Sequence, residues 1–124
     1  MTCYAHTAPN ESDWEPLKVH LLNVAARARL FASAFGAGEE GYIAGLLHDL
    51  GKYGELFQKR LHGEGQHIDH WTPGAWAAMK QYGKAGRCLA LVAQGHHVGL
   101  QQDHKECLQK ICNRTPFPNT TLSA

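Results

Sequence analysis

A stripe of apolar side chains between residues 17 and 35 constrains the fold most strongly. These side chains recur at alternating spacings of four and three residues, which is the repeat of one face of an α-helix. The stripe consists of Leu17, Leu21, Val24, Ala28, Phe31 and Phe35. We predict a helix that begins near Trp14, with Asp13 as its N-cap and Pro16 in its first turn. We expect the whole stripe to face the core.

Similar patterns predict helices along much of the remaining chain. The predicted helices cover residues 39–50, 55–61, 72–82, 85–93 and 102–112. Gly51 is expected to end the first of these helices. Thr72 is expected to cap the third, with Pro73 at its first helical position.

The composition favours the same fold class. The chain has sixteen Ala and fourteen Leu against four Val and three Ile, a balance that suits helices better than a sheet core. With 124 residues there is room for one domain with one core. We therefore predict a single all-α domain over residues 1–124, with an irregular lead-in at 1–13 and a disordered tail at 114–124.

Charge and cysteine usage exclude several classes of protein. The formal net charge of +1 excludes a strongly basic nucleic-acid-binding coat, although a local basic patch remains open. No apolar run reaches the length of about 18–20 residues that a membrane span needs, and the first residues lack a signal-peptide profile. The four cysteines form no C-x-x-C pair. We expect reduced thiols in a cytoplasmic protein without a membrane partner.

The nine histidines are the most informative residues for function. Two doublets, His48-Asp49 and His96-His97, stand at the ends of predicted helices, and His70 ends a polar loop. His20 lies beside the apolar stripe. Each of these histidines alone is more often structural than a ligand, but the doublets together favour a metal site. Imidazole and a bridging carboxylate suit Mn, Fe, Co, Ni or Zn better than Mg.

The order of these motifs resembles the HD superfamily of metal-dependent phosphohydrolases. More narrowly, it resembles the HD nuclease of type I CRISPR systems, which is part of their interference nuclease-helicase. The matching stretches are Tyr4–His6, Trp14–Leu17 with His20, Ala44–Leu61 (AGLLHDLGKYGELFQKRL), Ile68–Ala75 (IDHWTPGA) and Gly95–Leu100 (GHHVGL). The resemblance implies an HD-domain helical bundle with a metal site at its centre.

The resemblance also implies roles for individual residues. One or two divalent cations would share Asp49, about 3.5–4 Å apart when both are present. The implied ligands are His20, His48 and Asp49 for one cation, and Asp49, His70, His96 and His97 for the other. Asp49 and Lys52 would be the catalytic residues. Lys52 would also contact the substrate by offsetting charge on the nonbridging phosphate oxygens.

Two departures from the family pattern affect the predicted function. Trp71 follows His70, and Pro73 comes two residues later, where the family usually has small residues. Trp71 is therefore a candidate stacking surface for a base of the substrate. The family's later Asp ligand has no counterpart after Leu100, so we expect a chain truncated at its C-terminus, with an incomplete ligand set beside His20 and His48.

The first functional hypothesis is a metal-dependent nuclease that cleaves single-stranded DNA in CRISPR interference. The resemblance implies a separate helicase and a CRISPR surveillance complex as its partners. Five cations could line a phosphate track or belong to ordinary solvated helix faces: Lys59, Arg60, Lys80, Lys84 and Arg87. The alternatives are a general HD phosphohydrolase acting on nucleotides or cyclic nucleotides, and a catalytically silent truncated domain. A truncated core would expose apolar surface and favour a homo-oligomer.

Overall fold

A computed structural model describes residues 1–99 of the chain, and these residues are mostly helical. The strands are β1 (Tyr4–His6) and β2 (Glu15–Pro16). The α-helices are α1 (Leu17–Ser33), α2 (Gly38–Leu47), α3 (Glu55–Leu61), α4 (Thr72–Tyr82) and α5 (Arg87–Val98). Short 3-10 turns lie at Glu11–Asp13, Leu50–Tyr53 and Gly83–Gly86. The predicted all-α fold class is confirmed.

The beginning of the chain differs from the prediction. The lead-in is not irregular, because β1 and β2 form a two-stranded antiparallel sheet that pairs Tyr4 with Pro16. Pro16 has an extended backbone and is the N-cap of α1, so the helix starts three residues later than Trp14 and Asp13 does not cap it. The strand pairing keeps the backbone of these residues extended and prevents an earlier helical start.

The apolar stripe of α1 is buried only in part. Leu17 and Leu21 are buried as predicted, but Phe31 and Phe35 are 72% and 77% exposed. The two helices α1 and α2 instead meet through small residues. A Cβ on Gly45 of α2 would overlap the backbone of Ala25 of α1, so this close approach requires glycine. Phe31 and Phe35 lie outside this close approach, as their exposure shows.

The second helix ends earlier than predicted, so the HD doublet lies just after its last residue. α2 stops at Leu47, and His48 is its C-cap. Asp49 leaves the helical geometry at φ −115° and ψ 20°, and a 3-10 turn follows it. The Lys52 backbone N–H then donates to the Asp49 carbonyl at 3.0 Å. The tight turn brings the Lys52 side chain back toward the Asp49 carboxylate.

The later helices match their predicted positions more closely. α3 has the predicted bounds, and α4 covers the predicted residues 72–82. Thr72 is the first helical residue rather than the cap. The Asp69 carboxylate accepts hydrogen bonds from the backbone N–H groups of Trp71 and Thr72 at 3.0 and 2.9 Å. α5 continues beyond the predicted residue 93 to Val98, and the HH doublet lies in its last turn, at the end of a helix as predicted.

The described core has two parts. One lies between α4 and α5 and consists of Ala75, Ala78, Leu89, Ala90 and Ala93. The other joins β1 to α1 and consists of Cys3, Ala5, Leu17 and Leu21. No helix among residues 1–99 has the length and apolarity required to cross a membrane. The predicted helix over 102–112 and the tail at 114–124 lie outside the described residues.

Candidate metal centre

The Asp49 carboxylate is the centre around which the predicted ligands gather. Asp49 is 3% exposed and sits where the end of α2 meets the 3-10 turn. Its Oδ2 atom lies 3.1 Å from His20 Nε2 and 3.2 Å from His48 Nε2. Its Oδ1 atom lies 3.1 Å from His96 Nε2 and 3.5 Å from His70 Nε2. The two carboxylate oxygens therefore face two different groups of imidazoles.

These two groups are the sets that the resemblance implied. The donor atoms of each set lie within 4.8 Å of one another and could hold a cation. We call them the Oδ2 group (His20, His48 and Asp49) and the Oδ1 group (Asp49, His70, His96 and His97). His97 joins the Oδ1 group through a contact of 2.7 Å between its Nε2 atom and His70 Nε2. The structure brings all six predicted ligands together.

Local hydrogen bonds decide which ring nitrogen of each histidine faces Asp49. His48 Nδ1 lies 2.6 Å from the carbonyl oxygen of Gly45, and His96 Nδ1 lies 2.6 Å from that of Ala93. An acceptor at Nδ1 places the ring proton there, which leaves the Nε2 lone pair directed at the carboxylate. Both carbonyls belong to the residue three positions earlier in the same helix.

The chemistry of this donor set fits a cation. His20 Nε2 and His48 Nε2 are 3.3 Å apart, and both lie against Asp49 Oδ2. When both rings are neutral and carry their proton at Nδ1, the two Nε2 lone pairs and a lone pair of Asp49 Oδ2 point into one small volume. Protons or a metal ion must balance them, and nitrogen with carboxylate oxygen is the ligand set of Mn, Fe, Co, Ni and Zn.

In the metal-free protein, protons supply part of this balance. Burial raises the pKa of Asp49, but hydrogen bonds from His48, His96 and Lys52 outweigh burial and hold that pKa well below its ordinary range. Burial lowers the pKa of His48. The hydrogen bond to Asp49 and the negative charge of Asp49 together outweigh burial and raise this pKa. Burial lowers the pKa of His70 to about 4, so this imidazole is neutral near pH 7.

Lys52 is a buried cation on the Oδ2 side of the centre. Its Nζ atom lies 2.9 Å from Asp49 Oδ2 and donates to the Ala5 carbonyl oxygen at 3.2 Å. The residue is 5% exposed. The structure thus places Lys52 beside the carboxylate that the resemblance implied as the shared metal ligand. The Lys52 side chain also borders an open cavity next to the centre.

That cavity is open to solvent and has a volume of about 420 Å³. Its lining residues are Ala5, His6, Thr7, Lys52, Phe57, Arg60, Leu61, His70 and His97. Arg60 is the only one of the five candidate phosphate-track cations that lines it. Lys59 pairs with Glu55 at 2.7 Å, and Lys80 lies over the Trp76 ring. The predicted track is therefore reduced to one arginine at this cavity.

Trp71 lies at the edge of the same centre. Its ring centroid is 5.2 Å from that of His97 with an interplanar angle of 33°, and 5.4 Å from that of His70. The predicted stacking residue is therefore next to the Oδ1 group. The ring of His62 packs against that of Trp14, with 5.0 Å between the ring centroids. Among the described residues, neither His62 nor His67 belongs to a group that could hold a cation.

Sequence reasoning missed two residues that support the centre. Glu15 Oε2 lies 3.1 Å from His20 Nδ1, whereas a helical start near Trp14 would place Glu15 in the first turn of the helix. The buried Gln58 side chain accepts from the Tyr4 N–H and donates to the Tyr4 and Lys52 carbonyls, at 2.9, 2.9 and 2.7 Å. No local pattern identifies either residue, because both roles depend on the packing of β1 and β2.

Comparison with protein families agrees with this geometry. Residues 18–114 match the family model of the HD domain. The chain belongs to the HD domain family. HD domains are in general metal-dependent phosphohydrolases, and this one contains a His/Asp cluster that could hold the metal. No curated protein matches the chain. The predicted lack of a later Asp ligand concerns positions outside the described residues.

Proposed function

We propose that this HD domain is a metal-dependent nuclease that cleaves single-stranded DNA in CRISPR interference. The observation that carries the proposal is the buried Asp49 carboxylate, whose two oxygens face separate groups of imidazoles. A divalent transition metal bound there would supply an activated water and Lewis-acid stabilisation of phosphate oxygens. The proposed ligands are His20, His48, Asp49, His70, His96 and His97.

The chain's own residues have distinct proposed roles at the substrate. Lys52 offsets negative charge near Asp49 and borders the cavity where a phosphate would enter. Arg60 lines the same cavity and supplies a cation for a neighbouring phosphate. Trp71, beside His97, offers a ring on which a base can stack. Basic side chains at an open cavity, together with an aromatic ring beside the Oδ1 group, favour a polynucleotide over a free nucleotide.

Activity on defined substrates tests this proposal. Protein loaded with Mn²⁺, Co²⁺ or Ni²⁺ is incubated with circular single-stranded DNA and, separately, with a panel of nucleotides and cyclic nucleotides. Cleavage of the circles that is lost in His48→Ala and Asp49→Ala supports the nuclease. Turnover of nucleotides with intact circles assigns the protein to the general HD phosphohydrolases. Activity that is unchanged in both variants is contamination and indicates a silent domain.

The partners and location follow from the same proposal. We propose a cytoplasmic protein that acts with a separate helicase and a CRISPR surveillance complex. Self-association is supported by an exposed apolar patch at the end of α1, where Leu30, Phe31 and Phe35 are 71%, 72% and 77% exposed. Sedimentation velocity over a concentration series tests it, and a monomer at all concentrations refutes it.

A further inference from the structure

His20 differs from the other imidazoles around Asp49 in what its second ring nitrogen contacts. The Nδ1 atoms of His48, His70 and His96 face backbone carbonyl oxygens at 2.6, 3.4 and 2.6 Å. His20 Nδ1 faces the Glu15 carboxylate at 3.1 Å instead. A side chain therefore does for His20 what the backbone does for the other three.

The local structure explains this difference. His20 lies in the first turn of α1, and the residues just before the helix are extended in β2, so the side chain of Glu15 lies within hydrogen-bond reach of the His20 ring. β2 pairs with β1, and the pairing of His6 with Glu15 fixes the backbone from which the carboxylate extends. Glu15 thus reaches His20 from a backbone that the sheet holds in place.

We propose that Glu15 is the positioning residue for the cation-binding Oδ2 group, acting through His20. The carboxylate holds the ring proton at Nδ1, so that the Nε2 lone pair faces His48 Nε2 and Asp49 Oδ2 at 3.3 and 3.1 Å. Without this acceptor the ring is free to rotate or to adopt the other tautomer. Hydrogen bonding to a carboxylate also makes the imidazole a stronger donor toward a metal. The inference rests on the proposed metal-dependent function.

A third cation position is the competing interpretation of the same residues. His6, Glu15 and His20 place one donor atom each within 4.8 Å of one another. However, His6 Nε2 is 3.9 Å from Glu15 Oε2 and its side chain is 57% exposed, whereas the His20–Glu15 contact has hydrogen-bond length. A cation at this position would also need His20 Nδ1 to lose its proton while Nε2 serves the Oδ2 group. The hydrogen bond therefore accounts better for the geometry.

Four variants separate these roles: Glu15→Ala, Glu15→Gln, His6→Ala and, as a charge-matched control in the exposed turn before β2, Glu11→Ala. Isothermal titration with Mn²⁺ and Co²⁺ measures the affinity and number of bound ions. We expect Glu15→Ala to weaken one binding step about 10–100-fold and to leave the other unchanged, which also shows that the domain is folded. Glu15→Gln keeps an oxygen acceptor and should restore most of the lost affinity. His6→Ala and Glu11→Ala should behave as wild type.

A spectroscopic readout tests the tautomer itself. In metal-free protein at a pH well above the ordinary pKa of histidine, ¹⁵N NMR should show the His20 proton on Nδ1 in wild type and Glu15→Gln. It should show a mixture of tautomers in Glu15→Ala. Unchanged affinity and tautomer in Glu15→Ala overturn the inference, and loss of one ion in His6→Ala assigns a third cation position instead. Wild-type protein that binds no cation refutes the proposed function, whereas the tautomer measurement still decides the role of Glu15.

Discussion

The ion pair between Asp49 and Lys52 gives a prediction whose magnitude depends on which partner is removed. Their charged atoms are 2.9 Å apart and the side chains are 4% and 6% exposed. In Asp49→Asn, Lys52 keeps its charge but loses the carboxylate and retains the Ala5 carbonyl as an acceptor. An uncompensated buried charge costs about 3–5 kcal/mol. We expect Asp49→Asn to lower the free energy of unfolding of the metal-free protein by that amount.

The reverse substitution is expected to cost less. In Lys52→Met, Asp49 still accepts hydrogen bonds from His48 and His96, and His48, whose pKa is raised, can carry the balancing proton. The loss should be about 1–3 kcal/mol, close to the cost of one unsatisfied buried group. In the double variant Asp49→Asn/Lys52→Met no buried charge lacks its partner. Its destabilisation should fall below the sum of the single variants by about 1–3 kcal/mol.

Urea unfolding followed by far-UV circular dichroism, on protein treated with a chelator, measures these differences. Lys59→Met is the control, because Lys59 pairs with Glu55 at 2.7 Å on the exposed surface of α3 and its loss should leave the unfolding midpoint unchanged. Equal losses in the two single variants, or strictly additive losses in the double variant, would refute the reasoning. Either result would mean that water or rearranged histidines already compensate Lys52.

Three further changes test other parts of the centre. Gly51→Ala places a Cβ against the His70 carbonyl oxygen and should destabilise the fold by about 1–3 kcal/mol, measured by urea unfolding. Gln58→Ala removes three hydrogen bonds that join β1 to the 3-10 turn; it should cost about 2–4 kcal/mol and speed proteolysis near Tyr4. The pKa of His70 falls from 6.5 to about 4 on folding, so its contribution to metal-free stability is lost as pH falls between these values. His48, with a raised pKa, contributes in the opposite sense: its contribution is fully present below pH 6.5 and is lost as pH rises above 6.5. His70→Asn should therefore flatten the acid side of the stability profile by on the order of 1 kcal/mol per pH unit, and an unchanged slope contradicts this.

Local sequence signals predicted the parts of the fold that local interactions determine. The bounds of α3 and the extent of α4 follow from apolar spacing and from Pro73 near a helix start. The start of α1 could not be predicted in this way, because Pro16 is held extended by pairing with Tyr4, far from it in sequence. The exposure of Phe31 also depends on residues that are distant in the sequence, because α1 approaches α2 most closely where Ala25 meets Gly45.

In the candidate centre, too, contacts local in sequence could be predicted and contacts between distant residues could not. His48 and His96 are each oriented by a carbonyl three residues earlier, so a histidine near a helix end already contains its own orienting contact. The doublets could therefore be recognised as candidate ligands from the sequence, because their orienting contacts are local. The carboxylate that orients His20 comes from another element, and only the three-dimensional structure brings Glu15 to it. Supporting residues were missed because their partners are distant in the chain.

The two sides of Asp49 differ in charge, and this difference predicts which of the two cation positions is filled first. Lys52 Nζ lies against Oδ2, whereas Oδ1 faces only the imidazoles of His70 and His96 among its described ion-pair partners. A cation beside Oδ2 is opposed by this ammonium group, and one beside Oδ1 is opposed less. We therefore expect the first equivalent of Mn²⁺ to bind the Oδ1 group. Isothermal titration of Mn²⁺ into two variants measures this: His70→Ala should abolish the tighter titration step, and His48→Ala should abolish the weaker one. Loss of the tighter step in His48→Ala instead would show that the lysine does not set the order.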